Sequence, residues 1–535
     1  ARMVFKPKKS RSLLIYKGDI KNWSFKVQGE EIPTIQEESI RCLGKNFDRT
    51  LRDKDNIKDV SKDLQKWLTS IDKSELQGRF KAWCFQYGIV PRLQWPFQMY
   101  DIPMTEIQQM SRACSRYLRK WLGVPPSFSS VNLYSKSSKV ALPISEIEEE
   151  YKVTKVRALV TLQQSKDNKV RQTGKAMTTG RSWNPQTAAS RAEEALKHQE
   201  VLGIVCQGRK GLGNYQPEFW SRLSSRNRRD KIVNEIRRET EENRRAKAVQ
   251  QASQGRWITW EPAAGRKLAW KDIWEMDQGK LGFLLRAVAD LLPSPSNLKT
   301  WGLEADSVCQ QCGAAWCSLE HILTACPKAL GSGKYRWRHD KVLQEIAKWV
   351  DEARREANKG VKTPVKLIDF HKEGDRTSKK NASLQEYPCI LSSASDWELK
   401  TDLKKKLIFP QDIVVTKMRP DMLLLSNKSK RLLIIELTVP WEERLQVAHE
   451  KKTSKYQELA DEARLKGWQA TIHAIEVGCR GFPSVTTQKF LGSLGLHPRN
   501  LKRALKDIGA AAESSSRWLW MKRAEEWSSS ASGDC

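Results

Sequence analysis

Acid, cysteine and long apolar runs are what this 535-residue chain has little of. Asp and Glu number 63 against 94 Lys and Arg, a formal net charge of +31. That balance excludes a polycation binder and favours a polyphosphate partner, which a basic chain attracts through counterion release. No apolar run reaches the roughly eighteen residues of a membrane-spanning helix, and the first residues lack the charged-then-apolar pattern of a secretory signal. Cysteine is sparse, 11 in all, and scattered apart from one group. A disulfide-stapled scaffold is therefore excluded, and we expect a soluble protein of a reducing compartment with no membrane partner.

One stretch reads as a hairpin built for two carboxylates. Arg419-Pro420-Asp421 leads into the apolar run Met422–Leu425, Asn427-Lys428-Ser429-Lys430 forms a turn, and Leu432–Val439 is the return strand. A turn centred between Lys428 and Ser429 sets residue 421 directly opposite residue 436, with Cβ atoms roughly 5 Å apart on one face. Two carboxylates so close repel unless a divalent cation lies between them, and oxygen donors suit Mg²⁺ or Mn²⁺. The ordinary reading is a pair of exposed surface acids. Glu436 argues against it, because it interrupts the continuous apolar run of a buried strand.

From Glu442 to about Leu465 the apolar positions Leu445, Ala448, Tyr456, Leu459 and Ala463 recur at helical spacing. Lys452 falls on that stripe, four residues before Tyr456. It either snorkels from the stripe's edge or directs its ammonium at the carboxylates to orient water or neutralise charge on phosphate. Lys455 is the reserve candidate.

Cys309-Gln-Gln-Cys312, His321 and Cys326 form a C-x2-C-x8-H-x4-C pattern, whose three thiolates and one imidazole suit a closed, structural zinc site. Cys317 is a spare that can replace one ligand. The segment Gly333-Lys-Tyr-Arg336-Trp-Arg338-His339-Asp340 follows. It suits phosphate contact with base stacking, or else is a helix start with Asp340 capping Lys341–Trp349. Residues 222–249, with Arg228, Arg229, Arg237 and Arg238, read as a solvated helix able to lie on a phosphate backbone. Tryptophan is abundant, 21 in all; pairs such as Trp257/Trp260 and Trp270/Trp274 read mainly as core, with stacking platforms the lesser alternative.

Pro420-Asp421, Glu436 and Lys452-Thr-Ser-Lys455-Tyr456 resemble the PD-(D/E)-x-K nucleases, and more closely the restriction-like endonuclease at the C-terminus of site-specific non-LTR retrotransposons. The resemblance implies that Asp421 and Glu436 hold the metal while Lys452, Lys455 and Tyr456 complete the catalytic group. Thr438 departs from the pattern by standing where a lysine is usual, implying that the lysine has moved to the helix. Upstream, Phe5-Lys-Pro-Lys8-Lys9-Ser10-Arg11-Ser12-Leu13 and the Gly18-Asp19 hairpin resemble the end of a reverse-transcriptase palm. Leu43-Gly44, Trp95-Pro96, Arg119-Lys-Trp-Leu-Gly123, Leu133-Tyr134 and Leu142-Pro143 resemble its thumb. No Tyr-x-Asp-Asp precedes them, so the polymerase's metal ligands are missing from this chain.

The resemblance implies the C-terminal part of a longer polyprotein that nicks double-stranded target DNA in the nucleus for target-primed reverse transcription. Its partners would be the element RNA and the missing N-terminal reverse-transcriptase portion. The alternative is a catalytically inert nucleic-acid-binding remnant, which Thr438 favours. The expected fold is multidomain α+β, with a mainly helical N-terminal half, a small zinc knuckle and a C-terminal restriction-endonuclease-like α/β domain with a mixed sheet. Expected segments are a palm remnant at 1–45, thumb-like helices at 46–165, a basic helical linker at 166–255, a helical piece at 256–305 and the knuckle with its basic-aromatic segment at 306–345. The nuclease follows at 346–515, with a polar insertion over 360–395, and then a loose tail at 516–535.

Overall fold

The computed structural model describes residues 6–175, 179–208, 220–359, 389–403 and 405–525. The chain is mixed α/β, 56% helical, with a five-stranded mixed sheet in its C-terminal part. It forms two compact units: Ala1–Ser135 with Leu142–Ala246 and Trp270–Trp274, and Lys136–Ala141 with Lys247–Ala269 and Glu275–Cys535. Among the described residues no helix is long and apolar enough to cross a membrane.

The first unit opens on three two-stranded hairpins, Leu14–Tyr16 with Asp19–Lys21, Phe25–Val27 with Glu30–Ile32, and Ile40–Cys42 with Lys45–Phe47. Each turns on a residue pair with positive φ, Lys17-Gly18, Gln28-Gly29 and Leu43-Gly44, the conformation whose twist suits a two-residue hairpin loop. Helices follow. Pro103 and Pro125-Pro126 fall outside them as expected, but Pro91 sits in the first turn of Val90–Met99 and Pro96 lies inside it. Val90–Met99 follows without a gap on Gly78–Cys84 and the five-residue π turn Phe85–Ile89, so the chain stays helical through both prolines where breaks were expected.

Three helices carry the unit's polar chemistry: α1 (Ile147–Gln163), α2 (Pro185–Gly208) and α3 (Ser225–Val249). The basic run in α3 is not the solvated helix expected. Ile232, Val233 and Ile236 pack with Val153, Val156 and Leu159 of α1 and with Ala188 and Ala192 of α2. Arg237 bridges Glu149 and Glu150 at 2.6 and 3.1 Å, while Arg244 reaches Glu149 at 2.7 Å and also pairs with Glu146. Guanidinium groups spaced along α3 thus neutralise the acidic first turns of α1, which explains basic and acidic blocks so far apart in sequence.

The second unit is built on helix α4 (Lys334–Asn358), strands β1 (Glu398–Thr401), β2 (Met422–Ser426) and β3 (Arg431–Thr438), helices α5 (Leu445–Lys455) and α6 (Gln457–Leu465), strands β4 (Gln469–Gly478) and β5 (Phe482–Pro483), and helices α7 (Val485–Ser493) and α8 (Pro498–Met521). The sheet order is β5-β4-β3-β2-β1, with β3 and β4 parallel and the other pairs antiparallel. Both faces are covered, so β2 and β3 are largely apolar, with Ser426 and Glu436 the buried polar exceptions. Met422, Leu424, Leu433, Ile435 and Leu437 pack against Ile346 and Val350 of α4 and Ala504 and Ile508 of α8. Leu423, Leu425, Leu432 and Ile434 pack against Tyr456, Leu459 and Ala463.

Two expectations fail at the unit's edges. Residues 516–521 continue helix α8, with Ser516, Leu519 and Trp520 buried. Trp518 stacks on Trp337 at 5.0 Å, and Leu519 and Trp520 join the core around Leu319 and Leu323 beside the knuckle, so this part of the tail is anchored. The helix expected to run unbroken from 442 to 465 is instead a short 3-10 turn, α5 and α6, interrupted at Tyr456. The polar insertion lies largely outside the described residues.

Candidate functional site

The β2–β3 register, Met422 opposite Ile435 through Ser426 opposite Arg431, sets residue 421 against residue 436, the frame expected from the turn. The main chain ties the two acids together: Asp421 N donates to Glu436 Oε2 at 3.1 Å, and Leu437 N donates to Asp421 Oδ2 at 2.8 Å. Both residues are buried. Among the described residues Asp421 Oδ1 accepts no hydrogen bond, leaving one carboxylate oxygen of the pair uncommitted.

The break at Tyr456 sets the bases. Lys452 Nζ donates to Glu436 Oε1 at 2.7 Å, and Lys455 Nζ reaches the same oxygen at 3.4 Å and the Tyr456 hydroxyl at 2.9 Å. Tyr456 in turn donates to the Arg419 carbonyl at 2.9 Å. Burial, reinforced by the Glu436 charge, pushes the Tyr456 phenol well above its ordinary range, so it acts as a neutral donor. Lys452 therefore turns its ammonium onto Glu436, with Lys455 at 3.4 Å from the same oxygen.

The basic-aromatic segment forms the first two turns of α4, so Asp340 is not a cap. His339 Nε2 lies 3.2 Å from Asp421 Oδ2 and Nδ1 lies 3.0 Å from Asp340. Burial opposes its charge, but the hydrogen bonds and charges of Asp340 and Asp421 outweigh that cost and lift its pKa to about 9. Burial likewise opposes ionisation of Asp421, yet His339, the Leu437 amide and Lys452 hold that carboxyl below its ordinary value. Arg336 is exposed and pairs with Asp340 and Asp402 at 3.2 and 3.3 Å. Arg338 is a correction: it is 2% exposed and donates to the Leu323 and Val439 carbonyls and Ser516 Oγ, so it ties α4 to its neighbours and cannot touch a nucleic acid.

In the first unit, Arg228 donates to the Trp220 carbonyl, Arg229 to Thr161 Oγ1, and Arg238 pairs with Glu235 and Glu242. Their charges, with that of Arg237, are shared with groups of the unit itself.

Cys309, Cys312, His321 and Cys326 place their ligand atoms within 4.8 Å of one another, and Cys312 Sγ lies 3.3 Å from His321 Nε2. A tetrahedral ion with metal–sulfur bonds of about 2.3 Å needs thiolates roughly 3.8 Å apart, so the cluster could hold a metal. Gly313, at φ 73°, closes the turn after Cys312. The Tyr335 hydroxyl accepts from the Cys326 amide at 3.0 Å, tying the cluster to α4. Burial raises Cys309, but backbone amides and His321 outweigh it and draw the thiol down to about 6, whereas burial and neighbouring sulfurs push Cys317 up to about 12. Burial also raises the Cys326 thiol, so these shifts alone do not divide ligands from the spare cysteine.

Several residues of this region escaped sequence reasoning. Asp402 grips Arg419 at 2.6 Å and its amide donates to the Asp421 carbonyl at 2.9 Å, steadying the residue before β2. Arg480 is buried between the rings of Trp260 and Trp441, 3.9 and 3.6 Å away, and salt-bridges Glu442 at 2.6 Å. Glu476, inside the apolar run of β4, carries the same signal that marked Glu436. In comparisons with known proteins, no family model and no curated protein matches this chain.

Proposed function

We propose that the second unit is a metal-dependent DNA endonuclease, and that the chain is the C-terminal portion of a non-LTR retrotransposon protein that nicks target DNA for target-primed reverse transcription. The observation that carries the reading is Lys452 seated on Glu436 while Glu436 faces Asp421 across one hairpin. Two buried carboxylates with an uncommitted oxygen fit a hard divalent cation. Asp421 and Glu436 would hold Mg²⁺ or Mn²⁺, which when bound polarises the phosphoryl group and makes a nucleophile of water at neutral pH.

The chain's own groups do the rest. Lys452 sets a positive charge where negative charge grows on the phosphate. Tyr456 and Lys455 hold that ammonium's neighbourhood rigid, and His339 fixes the Asp421 carboxylate. Zinc at Cys309, Cys312, His321 and Cys326 would be structural, since four protein ligands leave no open position for chemistry. Double-stranded DNA, the element RNA and a separate reverse-transcriptase portion are the partners of this reading, and the nucleus is its place of action.

Thr438, standing where a lysine is usual, favours the second reading, an inert nucleic-acid-binding remnant. The termini of the product decide. Nicking of a supercoiled plasmid should leave 3′-hydroxyls that a DNA polymerase extends without prior phosphatase treatment; no nicks would leave the remnant, and nicks that cannot be extended would overturn target priming.

A further inference from the structure

Glu436 and Lys452 have a second carboxylate and base beside them. β3 and β4 run parallel, with Glu436 opposite Ala474 and Thr438 opposite Glu476. Leu432, Ile434 and Ala470 lie in the core against α6, and the two-residue period of a strand carries that same face on through Glu436, Thr438 and Glu476. A rise of about 3.3 Å per residue and a strand spacing of about 4.8 Å put the Glu436 and Glu476 Cα atoms roughly 8 Å apart. His449, three residues before Lys452 on α5, shares its side of the helix. Its Nδ1 lies 2.8 Å from Glu476 Oε1, as Lys452 Nζ lies 2.7 Å from Glu436 Oε1.

Glu476 is 1% exposed, and its other oxygen accepts from Ser484 Oγ at 2.8 Å and Thr486 Oγ1 at 2.7 Å. A carboxylate so supplied holds the imaginable rotations of the imidazole to one, with Nδ1 inward. The His449 side chain is 32% exposed, and among the described residues its Nε2 makes no hydrogen bond. His449 thus stands about one helical turn before Lys452 on α5, each on its own carboxylate of the same sheet face.

We propose that His449 in its imidazolium form, with Nδ1–H donated to Glu476, binds the backbone phosphate adjacent to the one cleaved by donating Nε2–H to a phosphate oxygen. The inference rests on the endonuclease reading above and adds a substrate contact to it. The contact positions the strand and takes no part in bond making, so it should appear in KM and leave kcat nearly unchanged.

The full chain with Mg²⁺ and supercoiled plasmid supplies the test, with His449→Ala and His449→Arg compared by circular dichroism to confirm folding. His449→Ala should raise KM about tenfold, the scale of one charge-assisted hydrogen bond, with kcat within about threefold. The salt slope of affinity for a fluorescent mixed-sequence duplex, measured in Ca²⁺, should flatten by about 0.9, the value of one phosphate contact. His449→Arg should restore both, because a cationic donor replaces a phosphate ligand but cannot replace a proton-transfer group. An unchanged slope in His449→Ala, or a kcat loss that arginine does not rescue, would overturn the proposal. Should wild type fail to nick, the endonuclease reading falls, and the duplex slope, which needs no turnover, still decides whether His449 contacts phosphate.

Discussion

His339→Gln should change how stability depends on pH, by an amount the geometry sets. The imidazole lies between Asp340 and Asp421, 3.0 and 3.2 Å away, with 19% of its side chain exposed. Its pKa rises from 6.5 to about 9, and at about 1.36 kcal/mol per pH unit this corresponds to roughly 3 kcal/mol. The depressed Asp421 carboxyl reports the same contact from the other side, so the two are counted once. Between pH 6.5 and 9 the folded chain holds a proton that the unfolded chain releases. Stability from this contact is therefore full below about pH 6.5 and is lost as pH rises through about 9. Below the carboxylate range the second unit weakens again as Asp421, whose pKa is lowered from 3.8, takes up a proton. Urea unfolding at pH 6 and pH 9.5, in buffer with zinc but no magnesium, should show wild type losing roughly 3 kcal/mol more than His339→Gln across that range. Added Mg²⁺ should shrink the difference by competing with the imidazolium for Asp421. Parallel pH profiles for the two proteins would refute the reasoning.

Metal analysis should find near one zinc per chain, lost in Cys312→Ala and kept in Cys317→Ala; retention in Cys312→Ala would remove that ligand from the cluster. Among the described residues, Arg244→Ala removes the one arginine on Glu146 and leaves Glu149 with Arg237 alone; it should destabilise the first unit by about 3 kcal/mol, the low end for breaking a buried pair, measured by chemical unfolding. Lys452→Ala should slow nicking about 10²-fold, the scale of one electrostatic donor. A larger loss in Lys455→Ala would make Lys455 the water-orienting group.

The hairpin was legible because its turn residues and two-residue alternation fix register locally, and Glu436 was legible because a carboxylate inside an apolar strand needs a reason. The cysteine–histidine cluster that could hold a metal was legible from spacing alone, since Cys309, Cys312, His321 and Cys326 lie within one short segment. What escaped depends on contacts remote in sequence. His339 meets Asp421 across 82 residues, so its basic-aromatic setting suggested nucleic acid and gave no sign of a carboxylate. Arg338 looked like a surface arginine because nothing nearby announces the carbonyls of Leu323 and Val439 that bury it. The charges of α3 were misread for the same reason: their counterions lie on α1, about 90 residues away, at 88 for Arg237 with Glu149. Tyr456 belongs to the stripe as expected, but the stripe alone could not show that the helix breaks there to release Lys452 and Lys455 toward Glu436.

The most direct measurement of the central claim is conversion of supercoiled plasmid to the nicked form by the full chain in Mg²⁺, with a Glu436→Ala control and with EDTA added to a parallel reaction. The arrangement of Asp421, Glu436 and Lys452 predicts nicking that Mg²⁺ supports, that EDTA abolishes and that Glu436→Ala reduces by several orders of magnitude without loss of DNA affinity. Nicking by Glu436→Ala at the wild-type rate, or none by wild type in Mg²⁺ or Mn²⁺, would contradict it.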